Sequence, residues 1–145
     1  MAHDIMDTVR KRLKDGWLKA WIAVEVVAIT PDAADSSLRK HMEKIGREEF
    51  CLMYKQEFKE PQKIPHPFER GKDAYSQVVE AEIVARRFED LLFLVMNYAP
   101  SSIEILEPSE IRLKLGEAQG VLNSISELIH KFAMSHAGGV MIDAE

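Results

Sequence analysis

The chain has 145 residues, 46% of them hydrophobic and 30% charged, which excludes a disordered polymer and suits one compact domain over residues 1–145. A net charge of −5 and a pI near 5.6 argue against a protein devoted to nucleic acid. No apolar run reaches the ~20 residues of a membrane span. Met1-Ala2-His3-Asp4 lacks a secretory leader's order, and Cys51, the single cysteine, excludes an internal disulfide and suits a cytoplasmic setting.

Residues 4–15 predict an amphipathic helix, because Ile5, Val9 and Leu13 recur every fourth position while Arg10, Lys11 and Lys14 point elsewhere. Asp4 and Asp7 near its start suit the helix dipole, and Gly16 stops it. Residues 17–29 crowd β-branched side chains together with only Lys19 and Glu25 charged, which predicts a strand. Ile22, Val24, Val26 and Ala28 share one face; Trp21, Ala23, Glu25, Val27 and Ile29 share the other. Both faces are largely apolar, so both want cover.

Thr30-Pro31-Asp32 opens a helix, with Thr30 as N-cap and Pro31 at the first helical position. Ala34, Leu38, His41 or Met42, and Ile45 form its buried stripe, and Gly46 ends it. A strand follows over 50–58, where alternation puts Phe50, Leu52, Tyr54 and Phe58 on one face and Cys51, Met53, Lys55 and Glu57 on the other. Pro61, Pro65, Pro67 and Gly71 then predict an irregular loop over 59–73. Long loops in compact domains usually carry function, so Ile64, His66 and Phe68 are its candidate contact residues. Residues 75–84 resume as a strand with Tyr75, Val79, Ala81 and Ile83 inward and Ser76, Glu80 and Glu82 outward. A helix over 87–98 carries Phe88, Leu91, Leu92, Val95 and Met96 at helical spacing. Residues 103–107 form a short strand closed by Pro108, Ser109-Glu110-Ile111 a helical turn, and 117–134 a last helix. That helix aligns Ala118, Val121, Leu122, Ile125, Leu128, Ile129 and Phe132 on one face. The tail, 135–145, is expected to fray or to dock as an edge strand.

This order is β-α-β twice over, the signature of an α+β, ferredoxin-like βαββαβ sandwich. The expected core runs 17–134, with an extra N-terminal helix in 1–16 and an extra C-terminal helix. The second sheet face would collect Trp21, Val27 and Ile29 with Cys51 and Met53. An open antiparallel face is normally polar, so this one predicts self-association, a dimer first, through Trp21, Glu25, Val27, Ile29 and Met53. The first half of the chain is also slightly basic and the second strongly acidic, which would let subunits attract each other. Ordinary solvated surface explains the same asymmetry.

Leu91, Leu92, Tyr98, Ala99, Pro100, Ile103, Ile105, Leu106, Glu107 and Pro108 form a Leu-rich helix, a Pro turn and an alternating strand closed by Glu-Pro. This stretch, mainly residues 81–115, resembles the C-terminal extension domain that follows WYL domains in bacterial transcriptional regulators. The resemblance implies a ferredoxin-like regulatory or assembly module associated with dimerisation and effector sensing. It assigns no residue beyond the fold.

Chemistry-bearing patterns are sparse. Glu127-x-x-His130 has the spacing of half a carboxylate di-iron site, but the second half has no counterpart. Cys51 lacks a base or motif nearby and reads as a small buried hydrophobe, and His41 as a half-buried structural residue. Glu80 and Glu82, with Glu25, could form an acidic patch for acid/base work or simply the wet face of a strand. No phosphate loop, dinucleotide fingerprint or nucleophile elbow occurs, and Gly138-Gly139 lacks a strand–helix context. The leading expectation is therefore a non-enzymatic, cytoplasmic regulatory or assembly module without cofactor or metal, which self-associates and takes a protein partner or small effector. The alternative is a DNA-binding winged-helix-like regulator. If 17–29 were helical, the 36–47 helix would present Arg39, Lys40, Lys44 and Arg47 to DNA.

Overall fold

In the computed structural model, residues 4–135 are described, and they divide between Glu110 and Ile111 into two compact units. The first unit opens with α1 (Ile5–Lys14), whose N-cap Asp4 accepts a hydrogen bond from the Met6 amide. Gly16, at φ +93, turns the chain out of the helix as a left-handed residue, and β1 (Leu18–Ala28) follows. Thr30 then caps α2 (Pro31–Gly46) by accepting from the Ala33 amide at 3.0 Å, with Pro31 preset for the first turn. After it come β2 (Cys51–Phe58), β3 (Gln62–Pro65), β4 (Asp73–Ala85), α3 (Phe88–Tyr98) and β5 (Ser102–Glu107).

The fold is α+β. Its sheet is antiparallel, in the order β2-β4-β1-β5, with β3 pairing β4 beyond the end of β2. Long β1 and β4 pair along their whole length, from Leu18 opposite Ala85 to Ala28 opposite Tyr75. Both carry valines and isoleucines, Ile22, Val24, Val26 and Val27 on β1 and Val78, Val79, Ile83 and Val84 on β4, and β-branched residues suit the pleated, half-buried surface of a central strand. One face carries the core. Ile22, Val24, Val79 and Ile83 lie buried there with Leu38, Met42 and Ile45 of α2 and Leu91 and Leu94 of α3. Each fully buried side chain of this size is worth roughly 1.5–3 kcal/mol.

Several elements differ from the sequence reading. Residues 59–73 are not wholly irregular, because β3 forms between Pro61 and Pro65 and pairs Gln62 with Ser76 through Pro65 with Asp73. Proline is tolerated on such a short edge strand, whose outer amides need no partner. In β2 the register advances from Met53 opposite Ile83 to Lys55 opposite Glu82, so Tyr54 is an extra residue. A bulge of this kind reverses the alternation downstream. Cys51 and Met53 therefore join the helix-side core, while Lys55 and Glu57 turn to the other face, correcting the grouping of all four. Ser109–Ile111 forms no helical turn. In α3, Leu94 is fully buried while Val95 is exposed, because the stripe's centre lies at Leu91 and Leu94. A left-handed Ala99, at φ 47, ends that helix.

The second unit holds α4 (Leu115–Ser135), none of whose residues is buried. The chain thus divides at Glu110/Ile111, where the expected core ran through to 134. The expected fates of residues 136–145, including Gly138-Gly139, lie outside the described residues.

Candidate functional site

The candidate site is the sheet face opposite α2 and α3. Alternation along β1 and β4 sends Trp21, Ala23, Glu25 and Val27 to that side, beside Glu82, Glu80, Val78 and Ser76. The Tyr54 bulge adds Lys55 and Glu57 from β2. One end of the face is covered. Val84, which alternates with core-facing Ile83, is fully buried, and α1 packs on β2 and β4 with Val9 buried beneath it.

Beyond that cover the face is an aromatic residue set in charge. Half-buried Trp21 lines a shallow depression of about 220 Å³ with Lys55, Glu57, Glu80, Ala81 and Glu82. Lys55 Nζ lies 3.4 Å from Glu82, whose other carboxylate oxygen accepts from the Tyr54 hydroxyl at 3.1 Å. Burial, then the charge of Glu82, pushes the Tyr54 phenol well above its ordinary value. Lys59 bridges Glu57 at 2.9 Å and Glu80 at 3.1 Å. Those contacts raise the ammonium's pKa, and the bond from Lys59 lowers that of Glu57. Lysines therefore pair both Glu80 and Glu82, and the acid/base reading of these carboxylates loses its close, unpaired like charges. Glu25 lies exposed beside a second depression, which Lys59, Glu60, Gln62, Ser76 and Val78 also line.

The five expected interface residues thus divide. Trp21, Glu25 and Val27 share the open face, with Val27 46% exposed; Ile29, just past β1, is 72% exposed. Met53 packs against the helix-side core instead, because of the bulge. The loop residues form a tight hairpin end. The His66 amide donates to the Lys72 carbonyl at 2.8 Å, and His66 Nδ1 accepts from the Phe68 and Glu69 amides at 3.1 and 3.0 Å. That capping leaves Phe68 92% exposed, while Ile64 sits half-buried in β3.

The winged-helix geometry required residues 17–29 to be helical, and they form β1, the sheet's most extensively paired strand along with β4. Arg39 is held by Asp35 at 2.9 Å, with its guanidinium 4.0 Å from the centre of the Phe58 ring. Lys40, Lys44 and Arg47 are exposed, and Arg47 lies 3.9 Å from Glu43. Glu127 pairs with Lys131 at 3.0 Å. Among the described residues no cluster of three or more His, Cys, Asp or Glu could hold a metal ion. His41 Nε2 donates to the Tyr98 carbonyl at 2.7 Å, linking α2 to the end of α3.

Two features escaped the sequence reading. Gln77, 2% exposed on β4, donates to Asp35 at 2.9 Å and to the Lys59 carbonyl at 3.1 Å, tying α2 to the link after β2. A glutamine at an inward-facing position of β4, in alternation with Val79 and Ala81, was the only clue. The other is an apolar groove of about 270 Å³ between α3 and β5, lined by Phe88, Leu91, Leu92, Val95, Ile103 and Ile105. No helix among the described residues is long and apolar enough to cross a membrane.

The model of the MJ0538 family matches residues 19–144, nearly the whole chain, so the protein belongs to the MJ0538 family. Nothing in this match points to the extension domain of WYL-type regulators. No curated protein matches the chain.

Proposed function

We propose that this member of the MJ0538 family is a non-enzymatic assembly or regulatory module of ferredoxin-like architecture, which pairs with a second copy through the open face of its sheet. The architecture is supported by two β-α-β units, β1-α2-β2 and β4-α3-β5, interleaved in the order β2-β4-β1-β5. The pairing rests on one observation: half-buried Trp21 lines a depression on the sheet face opposite α2 and α3, an aromatic residue among Lys55, Glu57, Glu80 and Glu82. Tryptophan is enriched among the residues that carry interface energy. Exposed Val27 and Ile29 would extend the apolar contact, and Phe68 at the β3–β4 tip would engage a protein partner or small effector. The buried, unpaired thiol of Cys51 supports a cytoplasmic setting.

Light scattering coupled to size-exclusion chromatography tests the reading. Trp21→Glu replaces the aromatic with a charge beside Glu80 and Glu82, and loss of a hot-spot tryptophan costs about 2 kcal/mol or more, roughly 30-fold in dissociation constant. The expected result is a halving of the mass at micromolar concentration with an unchanged circular dichroism spectrum. A wild-type mass of one chain at every concentration, or a variant mass equal to wild type, would refute it.

A further inference from the structure

We infer that the β3–β4 tip is a proton-sensitive contact element: neutral His66 holds Phe68 in its exposed pose, and protonation of that ring releases it. This tip is the one read above as a partner contact, and only the purpose of the switch rests on that reading; pairing of the sheet faces does not enter.

The His66 amide closes the base of the tip by donating to the Lys72 carbonyl at 2.8 Å, and Gly71, left-handed at φ +79, turns the chain back into β4. Inside the tip the imidazole does what an asparagine or aspartate side chain commonly does in a turn, accepting from backbone amides a few residues on. Half-buried His66 presents Nδ1 to the amides of Phe68 and Glu69, which donate to it at 3.1 and 3.0 Å. An imidazole nitrogen accepts only when it carries no hydrogen, so this ring is neutral and its hydrogen sits on Nε2. The same ring packs edge to face against Phe68, with centroids 6.3 Å apart and planes at 67°. Phe68 is 92% exposed, so its pose depends on these contacts rather than on burial.

A proton taken from solvent onto Nδ1 turns the acceptor into a donor aimed at two other donors. Both hydrogen bonds are then lost, and the imidazolium swings out to water. The charged side chains along this hairpin are Lys63, Glu69, Arg70, Lys72 and Asp73. Glu69 is held by Lys72 at 2.7 Å and Asp73 by Lys63 at 3.1 Å, so both carboxylates already have cations. Carboxylates and amines ordinarily titrate well away from the imidazole range, about pH 6.5. His66 is therefore the member of this set that changes charge there.

The test is an NMR titration of the full-length chain from pH 8 to pH 5. At pH 8, His66 Nδ1 is expected to show the signal of a hydrogen-free ring nitrogen. As pH falls, the Phe68 and Glu69 amide resonances should move with the His66 ring resonances at one shared midpoint, and the contact between the two rings should disappear. His66→Asn, whose side-chain oxygen accepts from the same amides without titrating, should hold both amides in place across the range. His66→Ala should show the released amide positions already at pH 8. Trp21→Glu should leave the titration curve unchanged, so failure of the sheet-face pairing and failure of the switch read out separately. A hydrogen on Nδ1 at pH 8, amides that do not follow His66, a ring contact that persists at pH 5, or a pH response that survives His66→Asn would each overturn the switch.

Discussion

Replacing Ile22 by alanine tests the placement of the core. Ile22 is fully buried at the centre of β1, opposite Ala81 of β4 and Ile103 of β5. The change deletes three carbon groups, which at ~0.8 kcal/mol each amounts to about 2.4 kcal/mol of lost transfer free energy. Hydrogen bonding to strands on both sides prevents the backbone from collapsing into the void, so a cavity term adds to this. The expected cost is about 3–4 kcal/mol, within the usual range of ~2–5 kcal/mol for such truncations. Ile29→Ala removes the same atoms where the side chain is 72% exposed, and should cost under about 1 kcal/mol. Urea unfolding followed by circular dichroism, at fixed protein concentration, reads both. With a slope of about 2 kcal/mol per molar urea, Ile22→Ala should lower the midpoint by about 1.5–2 M and Ile29→Ala by less than about 0.5 M. Equal shifts, or an Ile22→Ala shift below about 0.5 M, would refute the placement of Ile22 in the core.

Other outcomes follow from polar and thiol contacts. Hydrogen bonds from Arg39, then Gln77, hold Asp35 below its ordinary carboxylate pKa. A depressed folded-state value gives stability that is present above the unfolded pKa of about 3.9 and is lost as pH falls through the folded one. Urea midpoints measured from pH 5 to pH 2 should therefore fall, and Gln77→Leu should make that fall shallower; an unaltered slope would contradict the bond. Burial, then the nearby charge of Glu48, pushes the Cys51 thiol up to about 12. Ellman's reagent at pH 8 should leave it unreacted in the native protein and titrate one thiol in urea. Reaction within minutes before unfolding would show that Cys51 is not in the core.

The order and type of the main elements were legible in the sequence because each rests on local physics. Thr30-Pro31 announces a cap, the β-branched run after Trp21 an extended strand, and the spacing of Phe88, Leu91 and Leu92 a helix face, whatever surrounds them. Which residues share the candidate site was less legible. Trp21, Glu25 and Val27 followed from strict alternation within one unbroken strand. Met53, Lys55 and Glu57 did not, because a single extra residue at Tyr54 is a fact of pairing with β4 and leaves no mark in the spacing of β2 itself. The same holds for β3. Its prolines read as a break until an edge position against β4 makes their missing amides harmless. The face expected to repel water proved to be ringed by lysine–glutamate pairs, since Lys59 reaches Glu80 only once β4 lies beside the end of β2. The sequence by itself determined what each segment prefers to be and which side chains alternate within it. Only the tertiary structure decided register, and register sets which charges meet and which apolar residues remain in water.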